Sequence, residues 1–392
     1  MTLRRAVSFA IAAGLLAGWT HTASADDMTI RGNYYRDRNT RVIQPVADFT
    51  KEYKTGTTVG GRYLLDAITS ASVASGVSAD SLFTELRQEF GVRLGQRLGP
   101  VNLGASYSYS SESDYWAHTA TLGADVDLFQ RNTNLSVALS YGHDDVAQRM
   151  PGNFSVLGQL DTVHLIVGWS QVLSRTAIMN VGYDFIVSGF GDKTNGFQSN
   201  PYRLVNVGGS MSREEVPFQR LRNAIAASLY YAIPLPSPTV PFLGFRAAYR
   251  YYVDDWGIQS HTPELRLFLP VGPVEFRTTG RIYVQDHQAS FWSDLGDGLP
   301  AYTGNGGKPC TTCLSSSTKG GLYLTSDPKL SIFTSEFLEL RVLLKLRFLR
   351  PLSAWLSEGL FEASYGHMIN DRYPHRAFGD ADIAGLTFTF PL

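Results

Sequence analysis

The stretch Pro263–Asp286, PELRLFLPVGPVEFRTTGRIYVQD, decides the fold that we predict for this chain. Successive side chains of a β-strand point to opposite faces, so Leu265 and Leu267 share one face of the first half. The other face carries Glu264 and Arg266. The first half therefore predicts a strand with an apolar side and a charged side.

The second half of the stretch repeats this sorting after a turn at 270–273. Phe276 and Ile282 lie on one side, and Arg277 and Arg281 lie on the other. Strands of about ten residues cross a bilayer when they are tilted. We interpret the stretch as one hairpin of a transmembrane β-barrel, apolar outside and charged inside.

The first residues predict a secretory signal peptide over residues 1–25. Arg4 and Arg5 form a positive region, an apolar region follows over residues 6–18, and Ala23-Ser24-Ala25 resembles a cleavage site. An uncleaved helical anchor is the alternative, but the apolar run is short for a membrane span. We expect export, cleavage after Ala25 and a mature barrel domain over residues 26–392.

The composition and net charge of the chain agree with a barrel and argue against a helical membrane protein and a nucleic-acid-binding protein. Beyond the signal, the chain has no run of about twenty apolar residues that would form a membrane helix. A formal net charge of −1 gives no support to nucleic-acid binding. Twenty tyrosines, 22 phenylalanines and 37 glycines suit many strands with aromatic rims and tight turns.

The strand pattern predicts an all-β, antiparallel, up-and-down transmembrane barrel of about sixteen strands, with fourteen as the alternative. An even number leaves both termini on the periplasmic side. Long extracellular loops are expected at about 190–218 and 287–330. The predicted strands are 29–37, 41–54, 57–66, 83–98, 101–111, 115–129, 133–144, 159–173, 176–189, 219–233, 240–254, the two of the opening hairpin, 331–349, 358–370 and 382–391.

The end of the chain resembles the C-terminal signature of outer-membrane proteins. Leu386, Phe388 and Phe390 alternate on one face, as in a last strand that the barrel insertion machinery reads. The sequence departs from the usual pattern because it ends in Pro391 and Leu392 instead of phenylalanine. We expect this machinery and the lipid of the cell outer membrane to be partners of the chain.

The charged side chains of the predicted inner face are the candidate functional residues. Their cationic excess would favour small anionic solutes in a water-filled lumen. The alternative is that opposite charges pair and fill a plugged interior. The predicted pore-lining residues are Arg87, Arg93, Arg97, Arg222, Arg246, Arg250, Arg266, Arg277, Arg281, Arg341, Lys345, Glu85, Glu89, Glu264, Glu275 and Glu339.

The two cysteines, Cys310 and Cys313, lie in the second long loop. Export permits a small surface disulfide between them. A redox or metal site is the alternative, although one CxxC without a second ligand pair is weak evidence for a metal. The sequence has no GxSxG elbow, HExxH helix or glycine-rich phosphate loop, so we predict no enzyme, no metal and no cofactor.

Three runs carry a resemblance to a known family: Asn33–Arg41, Tyr63–Val73 and Tyr107–Tyr115. They resemble a family of Gram-negative proteins that is described only as a domain of unknown function. Its members have a signal peptide and predicted outer-membrane strands. The resemblance covers most of the mature chain and implies the barrel. Members are often encoded beside a small lipoprotein and redox or flavin-attachment proteins, which implies an envelope protein partner.

The sequence therefore predicts a porin-like outer-membrane channel for small hydrophilic solutes, with a mild preference for anions. The alternative function is a non-conducting barrel that scaffolds or anchors an envelope complex, such as a redox complex. A fold by itself does not establish what a site does.

Overall fold

A computed structural model describes most of the chain. The described residues are 26–37, 40–70, 83–150, 153–190, 197–207, 210–217, 219–291, 315–316, 322–323, 327–370 and 379–392. The predicted signal peptide, its cleavage site and the predicted disulfide between Cys310 and Cys313 lie outside these residues.

Sixteen antiparallel strands close into one barrel, which confirms the predicted fold and strand count. The first nine are neighbours in chain order. They are β1 (Asp27–Arg36), β2 (Thr40–Glu52), β3 (Thr57–Ser70), β4 (Phe83–Leu98), β5 (Val101–Ser111), β6 (Tyr115–Leu128), β7 (Thr133–Met150), β8 (Asn153–Ser174) and β9 (Ala177–Phe190).

The wall continues from β9 directly to β12, because β10 and β11 form a separate hairpin. Two short strands, β16 and β17, likewise pair outside the wall. The remaining strands are β10 (Phe197–Val207), β11 (Ser210–Pro217), β12 (Gln219–Pro234), β13 (Phe242–Asp254), β14 (Gln259–Val271), β15 (Val274–His287), β16 (Ser315–Ser316), β17 (Leu322–Tyr323), β18 (Phe333–Lys345), β19 (Leu360–Ile369) and β20 (Ala381–Pro391).

Helical structure in the described residues is confined to short segments. They are 3₁₀ turns at Pro328–Leu330 and Leu346–Leu349 and the single-turn helix α1 (Ala354–Ser357). Among the described residues, no helix has both the length and the apolar character to cross a membrane.

The first and last strands close the wall. β1 pairs with β20 from Asp27 opposite Pro391 to Arg36 opposite Asp382. The Leu392 amide donates to the Asp26 carbonyl at 2.7 Å and extends this ladder by one bond. Closure satisfies the backbone groups that a lipid-exposed sheet edge would leave without partners.

The two faces of the wall differ as the opening stretch predicts. Leu265, Leu267, Phe276 and Ile282 expose 40 to 49% of their surface on the outside of β14 and β15. The side chains of alternate residues, including Arg266, point into the barrel and are less exposed. The exterior is therefore compatible with lipid, and the charged residues line the interior.

Tight turns join the strands at the barrel end that carries both termini. Gly56, Gly99 and Gly272 adopt φ values of 77°, 63° and 60° there. This left-handed conformation is open to glycine without steric cost, which is why these turns reverse the chain in few residues. We call this end the terminal end and the opposite one the loop end.

The connection predicted as a long loop at about 190–218 contains the β10–β11 hairpin, which lies outside the barrel wall. The structure corrects the end of one predicted strand. The strand expected at 331–349 ends at Lys345, where the chain turns into 3₁₀ structure and buries Leu346. The reason is the following connection, in which the Trp355 indole donates to the Pro391 carbonyl at 2.7 Å and stacks on Phe390.

An apolar cluster joins several strands at the loop end of the barrel. Trp256, Ile258, Phe291 and Leu330 are buried together there. The Trp256 indole donates to the Gln219 carbonyl at 3.0 Å. The cluster therefore anchors the start of the long connection between β15 and β18 to the turn between β13 and β14.

Replacing Leu265 with arginine should destabilise the barrel. The side chain points outward at the middle of β14, where an arginine on the lipid face costs about 2 to 4 kcal/mol. The free energy of unfolding by urea in lipid vesicles measures the loss. Ser228→Arg is the matched control, because Ser228 points inward on β12 and should lose less. Equal losses in the two variants would contradict the assignment of the faces.

Candidate functional site: the barrel lumen

The predicted pore-lining residues all lie on barrel strands and share the inward face of the wall. They are distributed as follows: Glu85, Arg87, Glu89, Arg93 and Arg97 on β4; Arg222 on β12; Arg246 and Arg250 on β13; Glu264 and Arg266 on β14; Glu275, Arg277 and Arg281 on β15; Glu339, Arg341 and Lys345 on β18.

The strands β13, β14, β15 and β18 form a wall with a surplus of positive charge, which we call the cationic wall. Its inward charged side chains are seven cationic and four acidic: Arg246, Arg250, Arg266, Arg277, Arg281, Arg341 and Lys345, against Asp254, Glu264, Glu275 and Glu339. Cross-strand register brings like charges together here, because Arg246 lies opposite Arg266 and Arg277 opposite Arg341.

Glutamates lie between the arginines of the cationic wall and separate their charges. Arg246 Nη1 binds Glu264 Oε1 at 2.6 Å, and Arg266 Nη2 approaches the same oxygen at 3.4 Å. Arg277 Nε binds Glu275 Oε1 at 2.6 Å. The carboxylate of Glu264 is thus shared by the guanidinium groups of Arg246 and Arg266. Because one negative charge faces two positive charges, this pairing leaves positive charge uncompensated.

Several arginines of the cationic wall are partly exposed. The side chains of Arg266, Arg277 and Arg341 are 35%, 31% and 34% exposed, although they point into the barrel. Barrels of sixteen strands are wide enough to leave an aqueous channel.

Aromatic rings support several of these arginines. The guanidinium of Arg277 lies 5.6 Å from the Phe268 ring centre, and that of Arg281 lies 5.0 Å from the Phe337 ring centre. In both cases the aromatic residue is the direct cross-strand partner of the arginine. The attraction between a cation and a π-system orients the guanidinium without neutralising its charge. The sequence alone does not indicate these contacts, because they depend on which residues of neighbouring strands lie opposite each other.

Two inward charged residues of β4, Arg87 and Glu89, have a different environment because they are buried. Nη2 of Arg87 donates to Glu89 Oε2 at 3.0 Å, and Arg87 forms an ion pair with Asp66, whose Oδ2 lies 3.2 Å from Nε. Gln44 donates to Asp66 at 2.6 Å, and Asn33 donates to Gln44 at 2.8 Å. We call these five residues the polar network; it links β1 to β4 and holds the wall together.

The two charged residues on the inner face of β6, Asp125 and Asp127, are both acidic. Asn102 and Asn134 donate to Asp125 at 2.8 Å and 3.1 Å, and Asn134 also donates to Asp127 at 2.9 Å. In the sixteen-strand order, β6 lies eight strands from β18. Asp125 and Asp127 therefore lie on the side of the lumen opposite Arg341, and the charges produce a field across the lumen.

One group of carboxylates could coordinate a hard cation. Oxygen atoms of Glu85, Glu112 and Asp114 lie within 4.8 Å of one another at the loop end of β4 and β5. The Ser113 hydroxyl donates to Glu85 at 3.2 Å. Carboxylate oxygens are suitable ligands for Ca²⁺, but acidic surface groups also cluster without binding a metal.

The family comparison identifies the chain. A family model described as "Protein of unknown function (DUF3570)" matches residues 67–159 and 154–347. The chain belongs to this family. The match confirms the resemblance expected from the sequence runs, since it covers most of the barrel of this DUF3570 member. No curated protein matches the sequence.

Solved structures of outer-membrane barrels share the fold of this DUF3570 protein. A bacterial polysaccharide outer membrane secretin has a TM-score of 0.50 at 8% identity, with 94% of this chain and 99% of that chain covered. CdiB from Acinetobacter baumannii has a TM-score of 0.52 at 10% identity, with 93% of this chain and 60% of that chain covered. OprD from Pseudomonas aeruginosa has a TM-score of 0.45 at 10% identity, covering 94% and 95%. The first two of these structures, with TM-scores of 0.50 and 0.52, support the fold and nothing beyond it at identities this low.

Removing Asp66 should destabilise the barrel more than removing a comparable carboxylate in the open lumen. In Asp66→Ala, the buried Arg87 loses one of its two acidic partners, and breaking a buried pair costs about 3 kcal/mol or more. Urea unfolding in vesicles measures the change. Asp48→Ala is the control, since Asp48 lies 3.8 Å from the one-third exposed Arg93 and such pairs contribute about 1 kcal/mol or less. Similar losses would show that the polar network has no special structural role.

Proposed function

We propose that this protein is a porin-like channel of the outer membrane for small hydrophilic solutes, with a mild preference for anions. The observation that carries the proposal is the cationic wall. The wall carries more inward arginines than glutamates, and three of these arginines, Arg266, Arg277 and Arg341, are about one-third exposed. Fixed charges that border water bias the passage of ions of the opposite sign.

The geometry gives this preference a mechanism. An anion that enters the lumen can exchange part of its hydration shell for arginine N–H donors, which form strong hydrogen bonds with carboxylate or phosphate oxygens. Stacking on Phe268 and Phe337 keeps two of the guanidinium groups oriented while no solute is present. The acidic residues Asp125 and Asp127 would attract the cationic part of a mixed-charge solute on the other side.

Export and insertion belong to the same proposal. We infer cleavage after Ala25 and recognition of the last strand by the insertion machinery. The support for recognition of the last strand is the outward face of β20, where Leu386 and Phe388 are 53% and 39% exposed, and the direct pairing of β20 with β1. The support for cleavage is the sequence of residues 1–25. The apolar exterior and the fold shared with outer-membrane proteins support the outer membrane as the location.

Planar-bilayer recordings of the refolded protein test the channel. We expect stepwise ion current and, in a salt gradient, a reversal potential that indicates preference for chloride over potassium. Arg277→Glu with Arg281→Glu should shift the preference toward potassium, because two positive charges of the lumen become negative. Arg277→Lys with Arg281→Lys keeps the charges and should keep the preference.

Two outcomes would count against this function in different ways. Absence of current above background would exclude the channel and favour the alternative, a barrel that scaffolds an envelope complex. Current with an unchanged reversal potential in the glutamate variant would exclude a role in selectivity for Arg277 and Arg281 while leaving the channel in place.

A further inference from the structure

Two arginines lie on the outer surface of the barrel at the loop end. Arg36 is the last residue of β1, Arg41 is near the start of β2, and the two are direct cross-strand partners. They point outward, because they share the faces of Ile30 and Ile43, which are 46% and 52% exposed on the outside. Both arginines are themselves exposed.

These outward arginines differ from those of the lumen in their partners. Within the described residues, no hydrogen bond or salt bridge satisfies the guanidinium of Arg36 or Arg41. Like charges directly opposite each other on two paired strands are destabilising. The pair therefore presents two adjacent guanidinium groups to an external anion.

The acidic side chains near the two arginines are Asp382 on β20 and Asp380 just before it, both on the β20 side of the pair. Asp382 is the cross-strand partner of Arg36 on the other side of β1. It accepts a hydrogen bond from the Tyr365 hydroxyl at 2.7 Å and lies 2.9 Å from Nδ1 of His367. Asp382, already shared with these two groups, thus lies beside Arg36, whereas Arg41 lies one strand farther away. We call Arg36, Arg41, Tyr365, His367 and Asp382 the outer basic patch.

The patch lies at the level of lipid headgroups. Tyr365 belongs to a series of outward tyrosines near the loop end, of the kind that marks the membrane interface in barrels. Tyr34 lies on the outward face two residues before Arg36, a distance of about 7 Å along the strand toward the membrane centre. The guanidinium groups therefore lie just beyond the aromatic girdle, where the headgroups of the surrounding lipid begin.

We propose that the outer basic patch binds a phosphate group of an anionic membrane lipid, with Arg36 and Arg41 as the phosphate ligands. Two adjacent guanidinium groups can donate parallel hydrogen bonds to phosphate oxygens. The Tyr365 hydroxyl and the His367 imidazole are placed to contact the rest of the headgroup. This binding would fix the height of the barrel in the bilayer at β1 and β2, and it does not depend on conduction through the lumen.

Lipid binding by the full-length protein in detergent micelles tests the proposal. The probes are bisphosphorylated lipid A, the same glycolipid without phosphates, and inorganic phosphate, with bound lipid counted by native mass spectrometry. The wild type should retain bisphosphorylated lipid A. The double variant Arg36→Gln, Arg41→Gln should bind it roughly tenfold or more weakly, since each arginine near a charged membrane surface contributes substantially to binding.

A matched variant controls for the change in net charge. Arg175→Gln with Arg350→Gln also removes two exposed positive charges, but at the terminal end of the barrel, and should bind like the wild type. Arg36→Lys with Arg41→Lys should recover part of the affinity, because lysine keeps the charge but loses the bidentate geometry.

Each of three results would overturn the proposal. The first is equal binding of bisphosphorylated lipid A by the wild type and the glutamine variant. The second is retention of the phosphate-free glycolipid by the wild type to the same extent as bisphosphorylated lipid A. The third is a loss of affinity in the terminal-end control that matches the loss in the patch variant. Displacement of the lipid by millimolar inorganic phosphate would show a general anion site in place of a lipid site. Circular dichroism and heat-modified gel mobility verify that every variant is folded.

Discussion

Closure of the hydrogen-bonded wall is the constraint on which the rest of this structure depends. In lipid, each backbone N–H and C=O group needs a partner within the protein, and an open sheet would leave two edges without one. The pairing of β1 with β20, from Asp27 opposite Pro391 to Arg36 opposite Asp382, removes both edges. Once the wall is closed, each strand has one face toward lipid and one toward the lumen.

The same residue type then performs different tasks according to its face and height. Arg87 is buried between Asp66 and Glu89 and stabilises the wall from within. Arg266 points into the same interior but is one-third exposed, so its charge acts on the solution in the lumen. Arg36 lies outside, beyond the aromatic girdle, where its charge faces the lipid headgroups. Burial and partners distinguish these roles.

The division of the lumen into a cationic and an acidic side is a consequence of strand order. Charged residues on strands far apart in the chain, such as Arg341 on β18 and Asp125 on β6, become opposite only because the ring has sixteen members. A barrel of fourteen strands would place Arg341 opposite a different strand. The strand count therefore determines both the width of the lumen and the direction of the field across it.

Alternation along single strands was sufficient to predict the architecture from the amino-acid sequence. The period of two that sorts Leu265 from Arg266 depends on local geometry alone, so the barrel class, the inward face and most strand limits could be read without a structure. The short turns were equally local. The early end of β18 at Lys345 could not be predicted, because it depends on the packing of Trp355 against the C-terminal strand.

The tertiary structure alone decided which charges meet. Cross-strand register places Phe268 opposite Arg277 and Arg36 opposite Arg41. This register follows from the turns and hydrogen-bond ladders of the whole wall. The difference between the buried Arg87 and the exposed Arg266 depends on neighbouring strands in the same way. Periodicity gives the side of the wall on which a residue lies, whereas partners and solvent access require the closed three-dimensional arrangement.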